Sequence, residues 1–154
     1  MLNRCINALS SRDVKLEDIA ECVKLLQGKY IEDLSDEDVM NNILAVLSKR
    51  EVQYALLTAI ELDMLCEEGK YHDKELEHDV LNDVGLYGID EVLAYGICNI
   101  YGSIALTNFG YIDTIKPGII GKLNDDNSLR CNTFLDDIVG AISASAASRL
   151  AHGK

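Results

Sequence analysis

The run VLAYGICNIYGSIALTNFGYI, residues 92–112, holds 21 residues without a single charged side chain. That is the length of a membrane-spanning helix, so its reading decides whether the chain crosses a bilayer or folds in water. Asn99, Ser103, Thr107 and Asn108, with glycines at 96, 102 and 110, make it less apolar than a lipid-facing helix should be. A helix uncharged all round but moderately polar belongs inside a bundle. We therefore read a helix from about Ile89 through Thr107, buried at the centre of the fold.

Working toward the N-terminus, the sequence is amphipathic at helical spacing. KLEDIAECVKLL, residues 15–26, puts Leu16, Ile19, Cys22 or Val23, and Leu26 on one stripe. Ser35 is placed to cap a helix beginning at Asp36, with Asp38 as a weak capping-box partner. Val39, Ile43, Val46 and Leu47 keep the spacing, and Val52, Leu56, Ala59, Ile60 and Met64 continue it to a stop near Gly69. One unbroken helix would be long for a globular domain, so a break is expected between Ser48 and Arg50. HDKELEHDVLNDVG, residues 72–85, predicts a shorter helix closed by Gly85. Toward the C-terminus, the spacing predicts an irregular link, a short piece after Pro117, a polar loop over KLNDDNSLR (122–130), and a last helix from about Thr133. Strand-like alternation is almost absent. The predicted fold is all-α: a compact single-domain bundle over residues 1–154 with a buried central helix.

Acidic residues outnumber basic ones by 26 to 14, for a net charge of −12. Nucleic-acid binding rests on neutralising phosphates with Lys and Arg, so this composition excludes it as a partner. It also disfavours electrostatic adhesion to an anionic bilayer, leaving at most peripheral membrane contact. Cys5, Cys22, Cys66, Cys98 and Cys131 are odd in number, widely spaced and without a C-x-x-C pair. They read as small core residues of a cytoplasmic protein rather than as a zinc site or disulfide framework. The N-terminus is too polar for a secretory signal.

Three acidic signatures in the second half stand against uncharged sequence. GIDEVLAYG carries Asp90 and Glu91, YIDTIKPG carries Asp113 and Lys116, and FLDDIVGA carries Asp136 and Asp137. Elsewhere the acids, among them Glu32, Asp33, Asp36, Glu37, Asp38, Glu67 and Glu68, read as solvated faces. A carboxylate buried in a bundle needs a proton, a cation or helix-end donors. Lys116, Arg130 and Arg149 are too few to pair five acids. An oxygen-rich set of this kind suits Mg²⁺, which takes a few carboxylates and waters and leaves room for a phosphate oxygen. The plainer explanation is that Asp90, Glu91, Asp136 and Asp137 favour the first turn of a helix, where the dipole welcomes acids. It accounts least well for Asp113, which stands before a Lys-Pro-Gly turn.

These signatures, in this order and spacing, resemble the phosphatidylglycerophosphatase A family: a D-E pair opening a helix, then D-x-x-K-P, then D-D-I-x-x-G. Here they are Asp90-Glu91, Asp113 to Pro117, and Asp136-Asp137-Ile138 with Gly140. The whole-chain pattern, including KREVQYALLTAIELD (49–63) and ALTNFGYIDTIKPGII (105–120), resembles the short soluble members of Gram-positive bacteria. The resemblance implies a Mg²⁺-dependent phosphatase that converts phosphatidylglycerophosphate to phosphatidylglycerol. It implies metal ligation by Asp90, Glu91, Asp136 and Asp137, and catalytic roles for Asp113, Asp137 and Lys116. Asp113 would join the ligands or orient the attacking water, and Lys116 would meet a phosphate oxygen; the plainer role for Lys116 is a salt bridge to Asp113. Shortly before Asp113, where membrane members carry an Arg, this chain has Phe109 and Gly110.

Two other readings compete. One is a related phosphatase acting on a small soluble phosphomonoester. The other is a catalytically inactive helical metal-binding or interaction protein. The His-Asp pair at 78–79 lacks the upstream His of an HD phosphohydrolase, and Glu61 with Asp63 does not form the E-x-x-E of all-α nucleotide pyrophosphatases. Small residues over Ala141 to Ala147 allow close self-packing, which points to a homo-oligomer.

Overall fold

The computed structural model describes residues 1–126 and 128–153, and among them the chain forms nine α-helices and no strand. They are α1 Leu2–Ser11, α2 Leu16–Gln27, α3 Asp36–Leu47, α4 Arg50–Glu67, α5 Lys74–Leu81, α6 Ile89–Tyr101, α7 Ser103–Ile115, α8 Gly118–Asn124 and α9 Leu135–Ala151. The predicted polar loop runs from Asp125 to Arg130, and Asn127 within it lies outside the described residues.

Local signals set most boundaries. The Ser35 hydroxyl accepts the Asp38 N–H at 3.0 Å and donates to the Asp38 carboxylate at 2.6 Å, satisfying a free donor at the head of α3. The break before Arg50 occurs as expected, and Gly69, with φ +68°, follows the end of α4. Helix α5 ends earlier than predicted. It stops at Leu81, and Asp83 takes a left-handed backbone (φ +47°), so Gly85 lies in an irregular segment.

The centre of the bundle is α9. Every residue from Leu135 to Ser148 is buried, and α2, α3, α4, α6, α7 and α8 all pack against it. Gly140, Ala141, Ala144, Ala146, Ala147 and three serines make that possible. Bulky side chains hold helix axes about 8–10 Å apart, and small ones let several neighbours close in. At Gly140, an added Cβ would already sit 3.4 Å from the Phe109 ring. Large fully buried side chains such as Phe109, Phe134, Ile97 and Ile138 supply the rest of the core, each stabilising by about 1.5–3 kcal/mol. All five cysteines are buried and free.

Two expectations change. Residues 92–112 are not the central helix but two helices, α6 and α7, joined at Gly102, where φ is +85°. Ala94, Ile97, Cys98, Ala105, Phe109 and Ile112 face α9, while Val92, Tyr95, Ile100, Leu106 and Tyr111 face outward. Both this run and the 138–148 run are uncharged, but only the second has side chains small enough to be surrounded. The oligomer reading from Ala141 to Ala147 also fails on its stated ground, because the protein's own helices cover that run. No helix among the described residues is long and apolar enough to cross a membrane.

Candidate active site

The geometry starts from the segment that leads into α9. Asp63 on α4 is fully buried and accepts the backbone N–H groups of Phe134 (3.0 Å) and Leu135 (2.9 Å). Beside it the Arg12 guanidinium forks onto Glu67 (2.7 and 2.9 Å) and donates to the Cys131 carbonyl at 2.7 Å. Glu67 in turn accepts the Cys131 N–H at 2.7 Å, and the Thr133 hydroxyl donates to the Val80 carbonyl at 2.6 Å. Residues 131–135 are thus clamped before the helix begins. Burial raises the Asp63 carboxyl to about 7, against the pull of its two N–H partners, the Cys131 thiol and nearby Arg12.

This arrangement bears on the adjacent aspartates. Asp63 holds the N–H groups of Phe134 and Leu135, so capping accounts for one oxygen of Asp136 at most and for neither oxygen of Asp137. Asp136 keeps one local contact, accepting the Asp137 N–H at 2.9 Å. Its other oxygen accepts the Lys116 ammonium at 3.1 Å, and the same ammonium donates to Asp113 at 2.7 Å. Lys116 therefore bridges α7 to α9, and Asp113 and Lys116 come together as the sequence implied.

Lys116 reaches this position through an uncommon backbone. It ends α7 in the left-handed region (φ +45°) directly before Pro117, a conformation that costs on the order of 1–3 kcal/mol for a non-glycine residue. Helix α8 then folds back so closely that a Cβ on Gly121 would collide with the Lys116 carbonyl oxygen. Asp113 lies in the last turn of α7 rather than in the turn beyond it. A helix C-terminus disfavours an acid, so the dipole does not explain Asp113.

Burial dominates the electrostatics. Asp136 and Asp137 are nearly inaccessible, and burial pushes both carboxyls well above the usual carboxylate range. For Asp137 the carboxylates of Asp136, Asp113 and Asp90 add to the rise, with Lys116 opposing it. For Asp136 the near Lys116 opposes burial more directly. Asp90, in the first turn of α6, is also raised, chiefly by burial and then by Asp83 among its acidic neighbours. Its Oδ1 is enclosed and has no hydrogen-bond partner among the described residues. Burial works against the Lys116 ammonium, but Asp136 and Asp113 outweigh it and raise its pKa. Glu91 is exposed at the rim, near Tyr95, whose hydroxyl also feels Asp113 and Asp137.

The structure thus brings Asp90, Asp113, Lys116, Asp136 and Asp137 to one end of α9, with Glu91 at the edge. Sequence reasoning missed Asp83, which lies close enough to raise both Asp90 and Asp136. With Asp136, Asn82, Arg130, Asn132 and Thr133 it lines a polar cleft of about 140 Å³. Nothing in N-D-V-G, which the sequence placed at the end of a helix, marks it beyond the residue type. Asp63 was missed although a signal existed. The stripe Val52, Leu56, Ala59, Ile60 continues at helical spacing to Asp63 and Cys66, which are buried, and not to Met64, which is exposed. Glu67, read as solvated, is instead mostly buried and paired with Arg12. Arg130 pairs with Asp13 at 2.7 Å, and Arg149 donates to Asn42. Among the described residues Lys116 is the cation in contact with these acids, while Arg130 lines the adjoining cleft.

Among the described residues, no three His, Cys, Asp or Glu side chains are grouped closely enough to hold a metal ion as they stand. The donor chemistry nevertheless suits a hard divalent ion. All the ligating atoms offered are carboxylate oxygens, one of them is enclosed without a partner, and a single lysine opposes several acids. Mg²⁺ is commonly held by one or two carboxylates with waters and substrate phosphates completing its shell.

Comparison with known proteins finds relatives along nearly the whole chain. Protein YutG of Bacillus subtilis (strain 168) is 56% identical over 144 residues, spanning 94% of this chain and 86% of that protein. YpjQ of the same organism is 50% identical, over 94% of this chain and 80% of its own length. The crystal structure of low temperature requirement C protein from Listeria monocytogenes superposes with a TM-score of 0.94 at 50% identity, covering 99% of this chain and 95% of that one. A structure from Bacillus stearothermophilus gives 0.95 at 53% identity, covering 99% and 94%. The family model described as phosphatidylglycerophosphatase A matches residues 24–152, which include all three acidic signatures. The chain belongs to the phosphatidylglycerophosphatase A family.

Proposed function

We propose that the protein is a Mg²⁺-dependent phosphatase that hydrolyses the terminal phosphomonoester of phosphatidylglycerophosphate, giving phosphatidylglycerol. One observation carries the reading. Asp90, Asp136 and Asp137, all buried, converge with Asp113 and Lys116 at the head of α9, where Asp63 already holds the N–H groups of Phe134 and Leu135. Family membership supports the phosphatase class.

Asp90, Asp136 and Asp137 would hold the ion, with Glu91 reaching it from the rim directly or through water. When bound, the ion would neutralise charge on the phosphoryl oxygens and lower the pKa of a water. The chain's own residues do the rest. Lys116, held between Asp113 and Asp136, would turn its ammonium to a phosphate oxygen as a point charge. Asp113, once free of Lys116, would accept a hydrogen bond from the attacking water and orient it. Phosphoryl transfer asks for little more than such positioning and charge neutralisation. Burial and its carboxylate neighbours favour a proton on Asp137 while no ion is bound, which limits repulsion in the resting site. The cleft lined by Asn82, Asn132 and Thr133 next to Asp136 would take the polar headgroup.

The test is phosphate release from phosphatidylglycerophosphate in detergent micelles, with Mg²⁺ and with a chelator, beside a panel of soluble phosphomonoesters. Mg²⁺-dependent release from the lipid supports the reading. Release only from soluble esters would move the substrate to that class, and no release from either would reject the enzyme.

A further inference from the structure

We infer that the outward face of α6 and α7 is the contact surface for a second copy of this chain. The two helices lie side by side, with Tyr95 edge-on to Phe109 at a ring separation of 5.2 Å. Their outer side exposes Ile89, Val92 (62%), Tyr95, Ile100, Leu106 and Tyr111 (51%). With Ile115 these side chains present on the order of 600 Å², at the top of what isolated monomers show. It is most of the roughly 800 Å² per partner of a standard interface.

Charge selects the occupant. No charged residue lies between Val92 and Ile112, yet the chain carries a net −12. On average, two copies meeting through charged surface would set carboxylates against carboxylates. This face avoids that, and its tyrosine and aliphatic residues, with the uncharged Asn99, Ser103, Thr107 and Thr114 exposed among them, suit an interface depleted of charge. An anionic bilayer fits less well, because peripheral binding draws on Lys and Arg. This face has neither, and the acids Glu91 and Asp113 border it.

Gly96 and Gly110 supply an independent argument. Each sits inside a helix, outside the positive-φ residues, and a Cβ built on either meets nothing within 4 Å. Glycine there costs about 1 kcal/mol relative to alanine, and nothing inside the protomer requires it. A second backbone approaching from outside does. A bilayer, which adapts to any side chain, would not. Because α6 and α7 form one face, a two-fold axis through it pairs the face with itself and closes the assembly as a dimer.

The test is sedimentation velocity of the full chain from about 1 to 100 μM, a range that spans dissociation constants typical of such interfaces. Wild type is expected to sediment at twice its 17.0 kDa mass. Gly96→Leu and Gly110→Leu have room in the protomer and improve helix propensity. They should keep helical content and monomer melting temperature while weakening association by roughly 100-fold, as loss of central packing does. Val92→Glu should act likewise through repulsion. A wild-type monomer at the highest concentration, or leucine variants that dimerise like wild type, would overturn the inference. So would a monomer that pellets with phosphatidylglycerol vesicles and loses this binding on Val92→Glu, since the occupant would then be lipid.

Discussion

Replacing Asp63 by Ala should be among the most destabilising single changes available in this chain, although Asp63 touches no substrate. The substitution removes the acceptor for the N–H groups of Phe134 and Leu135, both buried. A buried donor left without a partner costs about 1–3 kcal/mol, so two cost about 2–6. Relief from burying a carboxylate offsets part of this, since burial has already raised Asp63 to about 7. The net loss should be about 3 kcal/mol, a large share of a total stability of about 5–15 kcal/mol. For a chain of this size that corresponds to a fall of roughly 9 °C in melting temperature. Urea unfolding followed by far-ultraviolet circular dichroism measures it, and a loss under about 1 kcal/mol would show that these two bonds do not hold the head of α9. The pH dependence is a second check. Asp63 titrates near 4 in the unfolded chain and at about 7 when folded, so the folded state binds its proton more tightly. The stability it contributes is complete below about pH 4 and is lost as pH rises through 7, up to about 4 kcal/mol. Asp63→Asn cannot titrate and should flatten the decline between pH 5 and 8. An unchanged slope would refute the assignment of that proton.

Other outcomes follow from the same geometry. Asp137→Asn should lower Mg²⁺-dependent phosphatase activity at least roughly 100-fold, as loss of a group acting on the transition state does. It should leave the melting temperature equal or higher, because it removes a buried carboxyl that three neighbouring carboxylates oppose; both are read by phosphate release and calorimetry. Lys116→Met takes the cation from Asp136, which is buried, and should cost about 3 kcal/mol at pH 8. It should cost less at pH 5, where Asp136 can hold a proton instead. Mg²⁺ must displace protons from the raised carboxyls of Asp90, Asp136 and Asp137. Titration calorimetry in buffers of different ionisation heat should therefore show proton release, with affinity falling as pH falls. Gly121→Ala drives a methyl group into the Lys116 carbonyl and should destabilise by about 1–3 kcal/mol, measured by thermal unfolding.

Local sequence marked neither α1 nor the break at Gly102, and it predicts an irregular link where α7 runs on to Ile115. It marked most of the helices, since hydrophobic spacing and caps such as Ser35 act over a few residues. Three short motifs, each placing acids beside uncharged sequence, likewise marked Asp90, Glu91, Asp113, Lys116, Asp136 and Asp137 before any fold was known. What no local pattern could state was which uncharged run would occupy the centre. Residues 92–112 and 138–148 look alike in charge, and the packing of six helices around one axis chose the run with the smaller side chains. The outer face of α6 and α7 follows from that choice. Tertiary structure also decided what the aspartates are free to do. Asp63 lies 71 residues from the N–H group of Phe134 that it accepts, and Asp83 reaches the site only through the folding of an irregular segment. Once Asp63 holds the N–H groups of Phe134 and Leu135, Asp137 and one oxygen of Asp136 are released from the role that their position beside a helix start first suggested. Capping partners and buried charges pair across the fold rather than along the chain, so that release could be read only from the folded molecule.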